Sequence, residues 1–374
     1  MLEQLRAHDA KMVELECGQG SMLIPPSLNG RIFCQLGGEL VHRLDGKALA
    51  HPSPAEYDNL GGNSLWPAPE GGPFAFNYLP GSNTWTVQHG IAKAVPRVFR
   101  DDRNCVGIEK RIVLTNRKGT RVDLEYRRLV SARDIRPRVE EYALEGMCYH
   151  TEDTFEPLGE YDPEKVLLAP WSLEQFPGAD GVVAFGKVAE LEDALNCDFY
   201  GDPGDRIARR RDHFSFRLGG KARHQIGVRV QSEPQFIGAL DRGRSMLFLR
   251  KTPPLQGVYF NIADNDQLAG PFSTADLYSI FNGGELGFFE LETIGAMQAA
   301  GDRLLASTLL SETLILRGTQ SVSYTHLRAH ENVLDLVCRL LLEKKKNNTP
   351  IKHHHQLPLP ISTSHTHTAT PEHT

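Results

Sequence analysis

Arg121-Val-Asp-Leu-Glu-Tyr-Arg-Arg-Leu-Val130 alternates polar and apolar residues over most of its length. Successive side chains of a strand point to opposite faces, so this stretch predicts a half-buried strand with Val122, Leu124 and Tyr126 inward. Outward from it the same character recurs. Residues 226–230, 246–250, 257–262 and 313–317 are further strand candidates. Turn chemistry separates them: Asn116-Arg-Lys-Gly119, Asp202-Pro-Gly204, Leu218-Gly-Gly220 and Phe281-Asn-Gly-Gly284. Only residues 2–10 suggest a helix. Many short strands, glycine and proline turns and little helix predict an all-β sandwich or barrel.

The chain has 374 residues, 40% hydrophobic, with a formal charge of −6. Such a balance fits a globular protein and disfavours nucleic acid or an anionic membrane as partner. No apolar run approaches the roughly 20 residues of a membrane helix, and the N-terminus lacks a signal-peptide pattern. Six scattered cysteines without a Cys-x-x-Cys pair predict reduced thiols and a cytoplasmic location. The cluster Arg206-Ile-Ala-Arg-Arg-Arg211 is flanked by Asp205 and Asp212 and reads as a solvated turn.

Composition shifts after Gln320. Eight of the fifteen histidines follow it, among them His353, His354 and His355. Val322-Ser-Tyr-Thr-His-Leu-Arg-Ala-His-Glu331 looks like a translated transposase-type sequencing adapter. Leu336-Val-Cys-Arg-Leu-Leu-Leu-Glu-Lys-Lys-Lys346 looks like the adapter's far end running into poly-A. Residues 1–320 are therefore expected to form a single β domain cut short at its C-terminus, and 321–374 to be non-biological. Nothing separates 1–320 into halves, and 153–164 reads as a polar loop too short to be a boundary.

Gly61-Gly-Asn-Ser-Leu-Trp-Pro-Ala-Pro-Glu-Gly-Gly72 cannot be a regular helix, because it holds four glycines and two prolines. It reads either as a tight structural turn or as a rigid pocket wall presenting Trp66, Glu70 and Asn63. Trp66, Trp85 and Trp171 are the three tryptophans. They are either core anchors or platforms for the apolar faces of sugar rings. Trp85-Thr-Val-Gln-His-Gly90 is expected as a strand, with His89 exposed at its end and Gln88 on the other face. As a histidine, the residue type whose charge changes most readily near neutral pH, His89 is a candidate proton donor, though a lone histidine is commonly structural. In Gly287-Phe-Phe-Glu-Leu-Glu-Thr293, Glu290 and Glu292 share one strand face. Mutual repulsion would raise a carboxylate's pKa and make a base; the alternative is an acidic face in solvent.

Other chemistries find little support. Cys148 and His150 share a strand face, but no third metal ligand has recognisable spacing. Asp264, Asn265 and Asp266 could bind a hydroxyl or a cation, or simply make a turn. No Gly-x-Gly-x-x-Gly or phosphate loop is present, nor a Gly-x-Ser-x-Gly nucleophile elbow. No cofactor and no metal are expected.

The block from Asn59 to Gly72 resembles the Gly-Gly-x-x-x-Trp-x-x-Pro-Glu-Gly-Gly element of uncharacterised bacterial proteins in the galactose-mutarotase-like superfamily. Leu114 to Arg128 resembles their next block, and Phe289-Glu-Leu-Glu-Thr-Ile-Gly295 with Gly301-Asp302 their closing one. The resemblance spans about residues 10–318. It implies a β-supersandwich with a sugar-sized site on a concave sheet. It also implies a late glutamate taking the anomeric proton, at Glu292 with Glu290 as fallback, and a histidine acid, for which His89 is the positional candidate. The mutarotase histidine motifs are absent. The expected function is thus a carbohydrate-recognising protein, either an aldose 1-epimerase or a non-catalytic sugar binder.

Overall fold

The computed structural model describes residues 2–53, 57–135, 144–260 and 275–318. Residues 261–274 and 319–374 lie outside it, and with them the polar loop at Asp264 and the histidine-rich tail. The fold is all-β with little helix, as the alternation predicts. A ten-stranded antiparallel sheet runs in spatial order Ile207–Arg209, His213–Arg217, Val182–Lys187, Phe236–Asp241, Met246–Lys251, Ser307–Gly318, Leu144–Pro157, Arg121–Arg133, Cys105–Thr115 and Arg97–Asp102. A six-stranded inner sheet runs Leu195–Asn196, His224–Arg229, Asp276–Asn282, Phe288–Ile294, Ala169–Pro177 and Gly62–Ala68. The first residues form the helix Leu2–His8 and a four-stranded sheet from Val13–Cys17 to Glu39–Leu40.

The alternation in Arg121–Arg133 holds residue by residue: Val122, Leu124, Tyr126, Arg128 and Val130 are buried, and their neighbours are not. Arg128 can occupy a core position because the Asp153 carboxylate takes its Nε at 2.7 Å, both side chains being fully buried. The Asn116–Gly119 turn forms as its residue types require: Gly119 has φ +90 and donates to the Asn116 carbonyl at 2.8 Å.

The two sheets pack face to face. Phe176 of the inner sheet stacks on Phe248 of the large sheet at 4.1 Å and packs against Phe289 at 5.4 Å. Met147, Tyr149, Ile237, Leu291 and Ile315 fill the same interior. Each such side chain contributes about 1.5–3 kcal/mol when taken out of water.

A polar knot also lies between the sheets. Glu174 accepts from His42 Nε2 at 2.8 Å, from the Tyr149 hydroxyl and from Thr313 Oγ1 at 2.9 Å. It pairs with Arg250 at 2.9 Å. Burial pushes the Glu174 carboxyl up, but Arg250, His42 and Tyr149 overcome it and hold the pKa down at about 2. Arg250 also donates to the backbone carbonyls of Ser172 and Leu291 at 3.0 and 2.8 Å, tying two neighbouring inner strands from behind.

Four expectations change. The 61–72 run is not an irregular loop: residues Gly62–Ala68 are a fully buried strand at the sheet edge. Gly61 enters it at φ +88, where a Cβ would meet the Arg43 carbonyl oxygen at 2.0 Å. The expected strand at 85–90 is instead an isolated Tyr78–Trp85 bridge followed by the short helix His89–Ala92. Residues 153–157 continue the strand Leu144–Pro157 rather than starting a loop, and of 257–262 only a Val258–Met297 bridge is formed within the described residues.

Candidate functional site

The inner sheet has two faces, and strand alternation decides what each carries. On Ala169–Pro177, Ser172, Glu174 and Phe176 face the interior knot and core. Trp171, Leu173 and Gln175 face the other way, and Glu292 and Glu290 sit in register with Leu173 and Gln175. Trp66 is paired with Trp171 on the edge strand, and Ser279 with Glu292 on the far side. Side chains from these strands floor a cavity of about 350 Å³.

Glu290 and Glu292 lie on that floor, buried, as the spacing of the two carboxylates on one face requires. Trp171 Nε1 donates to Glu292 Oε2 at 2.9 Å, and Gln225 Nε2 lies 3.4 Å from the same oxygen while donating to Ser279 Oγ at 2.9 Å. Gln175 Nε2 donates to Glu290 Oε1 at 2.7 Å. Its own Oε1 accepts from Arg43 at 3.3 Å, which fixes the amide's orientation. Burial pushes the Glu290 pKa up to about 7, with Glu70 adding to the shift and the Gln175 bond opposing it. Burial and the Glu290 charge push Glu292 well above the carboxylate range. Neighbouring buried acids titrate as a pair, and Glu292 is raised further than Glu290.

The walls are aromatic. Trp171 meets Trp66 edge-on at 6.1 Å, Tyr57 meets Trp66 at 5.4 Å, and Tyr57 meets Trp85 at 6.1 Å. The series runs from the floor, where Trp171 is 2% exposed, to the rim, where Trp85 is 47% exposed. Trp85 Nε1 donates to Glu70 Oε1 at 3.3 Å. Tyr200, Phe281 and Phe288 close the other side, and Arg223 brings a guanidinium to the rim. Trp66 is 5% exposed, and its buried indole N–H has no acceptor among the described residues.

Six residues singled out from sequence therefore meet in one cavity: Trp66, Glu70, Trp85, Trp171, Glu290 and Glu292. Three do not. Asn63 points to the opposite face of its strand, where its Oδ1 accepts from Arg128 at 2.7 Å. The Gln88 side chain is consumed by backbone, donating to the Phe76 and Thr115 carbonyls and accepting from the Thr115 N–H. His89 begins a helix, is exposed and is not among the lining residues. The lining residues Gln175, Gln225, Tyr200 and Arg223 escaped the sequence reading. Gln175 and Gln225 could have been found by extending the period-two reading along their own strands. Tyr200 and Arg223 lie on loops and carry no local signal.

A second cluster sits on the large sheet. Cys148, His150 and Glu312 place one ligand atom each within 4.8 Å of the others. The third ligand that the spacing did not offer comes from strand pairing, since Glu312 is in register with His150. In the structure His150 Nε2 and Glu312 Oε2 are hydrogen-bonded at 2.6 Å. That bond holds the Glu312 carboxyl below its ordinary range against burial.

Residues 1–342 match the model of a family described as a family of unknown function, DUF6786. The chain belongs to that family. No curated protein matches the chain. Among solved structures the DUF6786 chain is similar to a galactose mutarotase related enzyme from Lactobacillus acidophilus, at 12% identity and TM-score 0.44, covering 83% of this chain and 97% of that one. It is also similar to a galactose mutarotase-like protein from Lactobacillus casei, at 13% identity and TM-score 0.43, covering 82% and 98%. A GH36 alpha-galactosidase from Geobacillus stearothermophilus, solved with 1-deoxygalactonojirimycin, gives 13% identity and TM-score 0.38, covering 82% of this chain and 41% of that one. No helix among the described residues is long and apolar enough to cross a membrane.

Proposed function

We propose that the cavity binds a monosaccharide-sized carbohydrate and interconverts its anomers, with Glu290 and Glu292 acting as one acid–base pair. The observation that carries this is the floor: two buried carboxyls on one strand face, both raised above their ordinary range, beneath a wall of aromatic faces. Aromatic faces stack on the apolar faces of pyranose rings, and the carboxylates and the unmatched Trp66 N–H meet hydroxyls and ring oxygens.

Anomer interconversion needs two proton transfers at once. The ionised carboxylate takes the proton of the anomeric hydroxyl. The bond from the anomeric carbon to the ring oxygen breaks, its electrons pass to that oxygen, and the protonated carboxyl supplies the proton there. Closure on the other face of the aldehyde reverses both transfers and restores the pair. This arrangement does without an imidazole, in keeping with the exposed position of His89. Because Glu292 is raised further than Glu290, Glu290 is the base of the proposed pair and Glu292 the acid, which departs from the role that the resemblance implies for Glu292.

Polarimetry of freshly dissolved sugars tests the reading. Catalysed mutarotation by the wild type, lost in both Glu290→Gln and Glu292→Gln, is the expected result. Activity surviving either change removes the pair from the mechanism.

One observation favours a second reading, a sugar binder without catalysis. Glu292 is held by Trp171 and Gln225 on its own sheet, as a fixed hydrogen-bond acceptor for a hydroxyl would be. Calorimetric binding without any rate enhancement would select it.

A further inference from the structure

The charge lining the cavity is lopsided. Glu70, Glu290 and Glu292 bring three carboxyls, and Arg223 at the rim is the one cation in the lining among the described residues. Neither Glu290 nor Glu292 forms an ion pair with lysine or arginine there; their partners are the neutral Gln175, Trp171, Gln225 and Ser279. Buried carboxylates are ordinarily paired with a cation. Arg43 and Arg31 act on Glu290 only from a distance, since Arg43 spends its donors on Gln175, Asn59 and Asp45, and Arg31 bonds the Gly61 carbonyl and Tyr57.

The rest of the lining suits a positive charge as well. Nine aromatic side chains surround these carboxyls. Their ring faces carry the negative lobe of the quadrupole and attract ammonium groups. Within the protein such a pairing already occurs beside the site, where the Arg43 guanidinium lies 4.9 Å over the Phe288 ring.

We propose that the carbohydrate taken by this cavity is an amino sugar with a free ammonium group, which supplies the cation the carboxyls lack. The inference rests on the carbohydrate reading given above. The ammonium would sit against the Glu290 and Glu292 carboxyls, inside the aromatic wall, while Trp66 Nε1 donates to a hydroxyl or ring oxygen of the same sugar. A uronic acid would meet the like charges of Glu70 and of the pair and be disfavoured.

Other groups facing the pair from the elements packed around it are Glu70, Tyr57, Tyr200, Arg223, Arg31 and Arg43. Among these and the pair itself, Glu290 is raised to about 7 and Glu292 well above the carboxylate range. A bound ammonium favours ionised Glu290, so binding at about pH 7 releases part of a proton to the buffer, while Glu292 keeps the proton that the reaction uses.

Titration calorimetry on the intact chain tests this with glucosamine, galactosamine and mannosamine, their parent hexoses, their N-acetyl derivatives and the corresponding uronic acids. Two buffers of different ionisation enthalpy report the proton. The expected result is an amino sugar bound at least about tenfold more tightly than both its parent and its N-acetyl form, with proton release. Equal or tighter binding of a neutral hexose overturns the ammonium proposal and leaves the carbohydrate reading standing. If no sugar binds, both fall. The comparison is made within the wild type and does not depend on any variant folding.

Discussion

The indole nitrogen of Trp171 lies 2.9 Å from the Glu292 carboxylate, and both side chains are buried. A tryptophan that looks like a core anchor is thus a hydrogen-bond donor to the floor of the site. An N–H donated to a carboxylate favours its ionised form.

Trp171→Phe keeps the ring and removes that donor. The Glu292 pKa should rise further. With Glu292 the protonated partner, the basic limb of the mutarotation pH profile should therefore move to higher pH. A profile coincident with that of the wild type would show that the contact does not tune the pair.

The pair should also cost stability as pH rises. The folded pKa of Glu290 is about 7 against an ordinary value of 4.5. Its favourable contribution is complete below about pH 4.5 and is lost as pH rises through 7, because the unfolded chain ionises first. Glu290→Gln removes this loss. Urea denaturation across that window should show the variant gaining on the wild type by up to about 1.4 kcal/mol per pH unit. A flat difference contradicts the raised pKa.

Glu174 has the opposite sign. Its folded pKa, about 2, lies below the ordinary 4.5, so its contribution is present above about pH 4.5 and is lost as pH falls toward 2. Glu174→Gln leaves Arg250 buried without its counter-ion. It should cost about 3–5 kcal/mol near neutrality, read from denaturant midpoints, and less on acidification.

Trp66→Phe deletes a buried donor that has no acceptor among the described residues. Thermal stability should hold or rise slightly, because an unmet polar group is removed. Sugar affinity by calorimetry should fall by about tenfold. Unchanged affinity would place the ligand away from Trp66.

Much of this architecture was legible in alternation. Val122 to Val130 announced a strand with one buried face, and the glutamates at 290 and 292 announced a shared face. Local pattern could not say whether that face met water or a cavity, since this depends on register with residues about a hundred positions away, such as Gln175. The Trp66 run misled because glycine and proline mark turns in general, yet here Gly61 admits a close approach to Arg43 and the strand lies at the sheet edge, where Pro67 is tolerated. His89 misled because proximity in sequence to Trp85 says nothing about which way a one-turn helix projects it. Asn63 was assigned to the cavity along with its neighbours, although strand alternation sends it to the Arg128 side.

The strand Ala169–Pro177 divides its duties by parity. Residues 171, 173 and 175 meet whatever enters the cavity, while 172, 174 and 176 hold the sheets together. Preference can therefore drift at odd positions while the even ones stay fixed. A laboratory library confined to 171, 173 and 175, with 290 and 292 on the paired neighbouring strand, would sample new specificities on an unaltered frame.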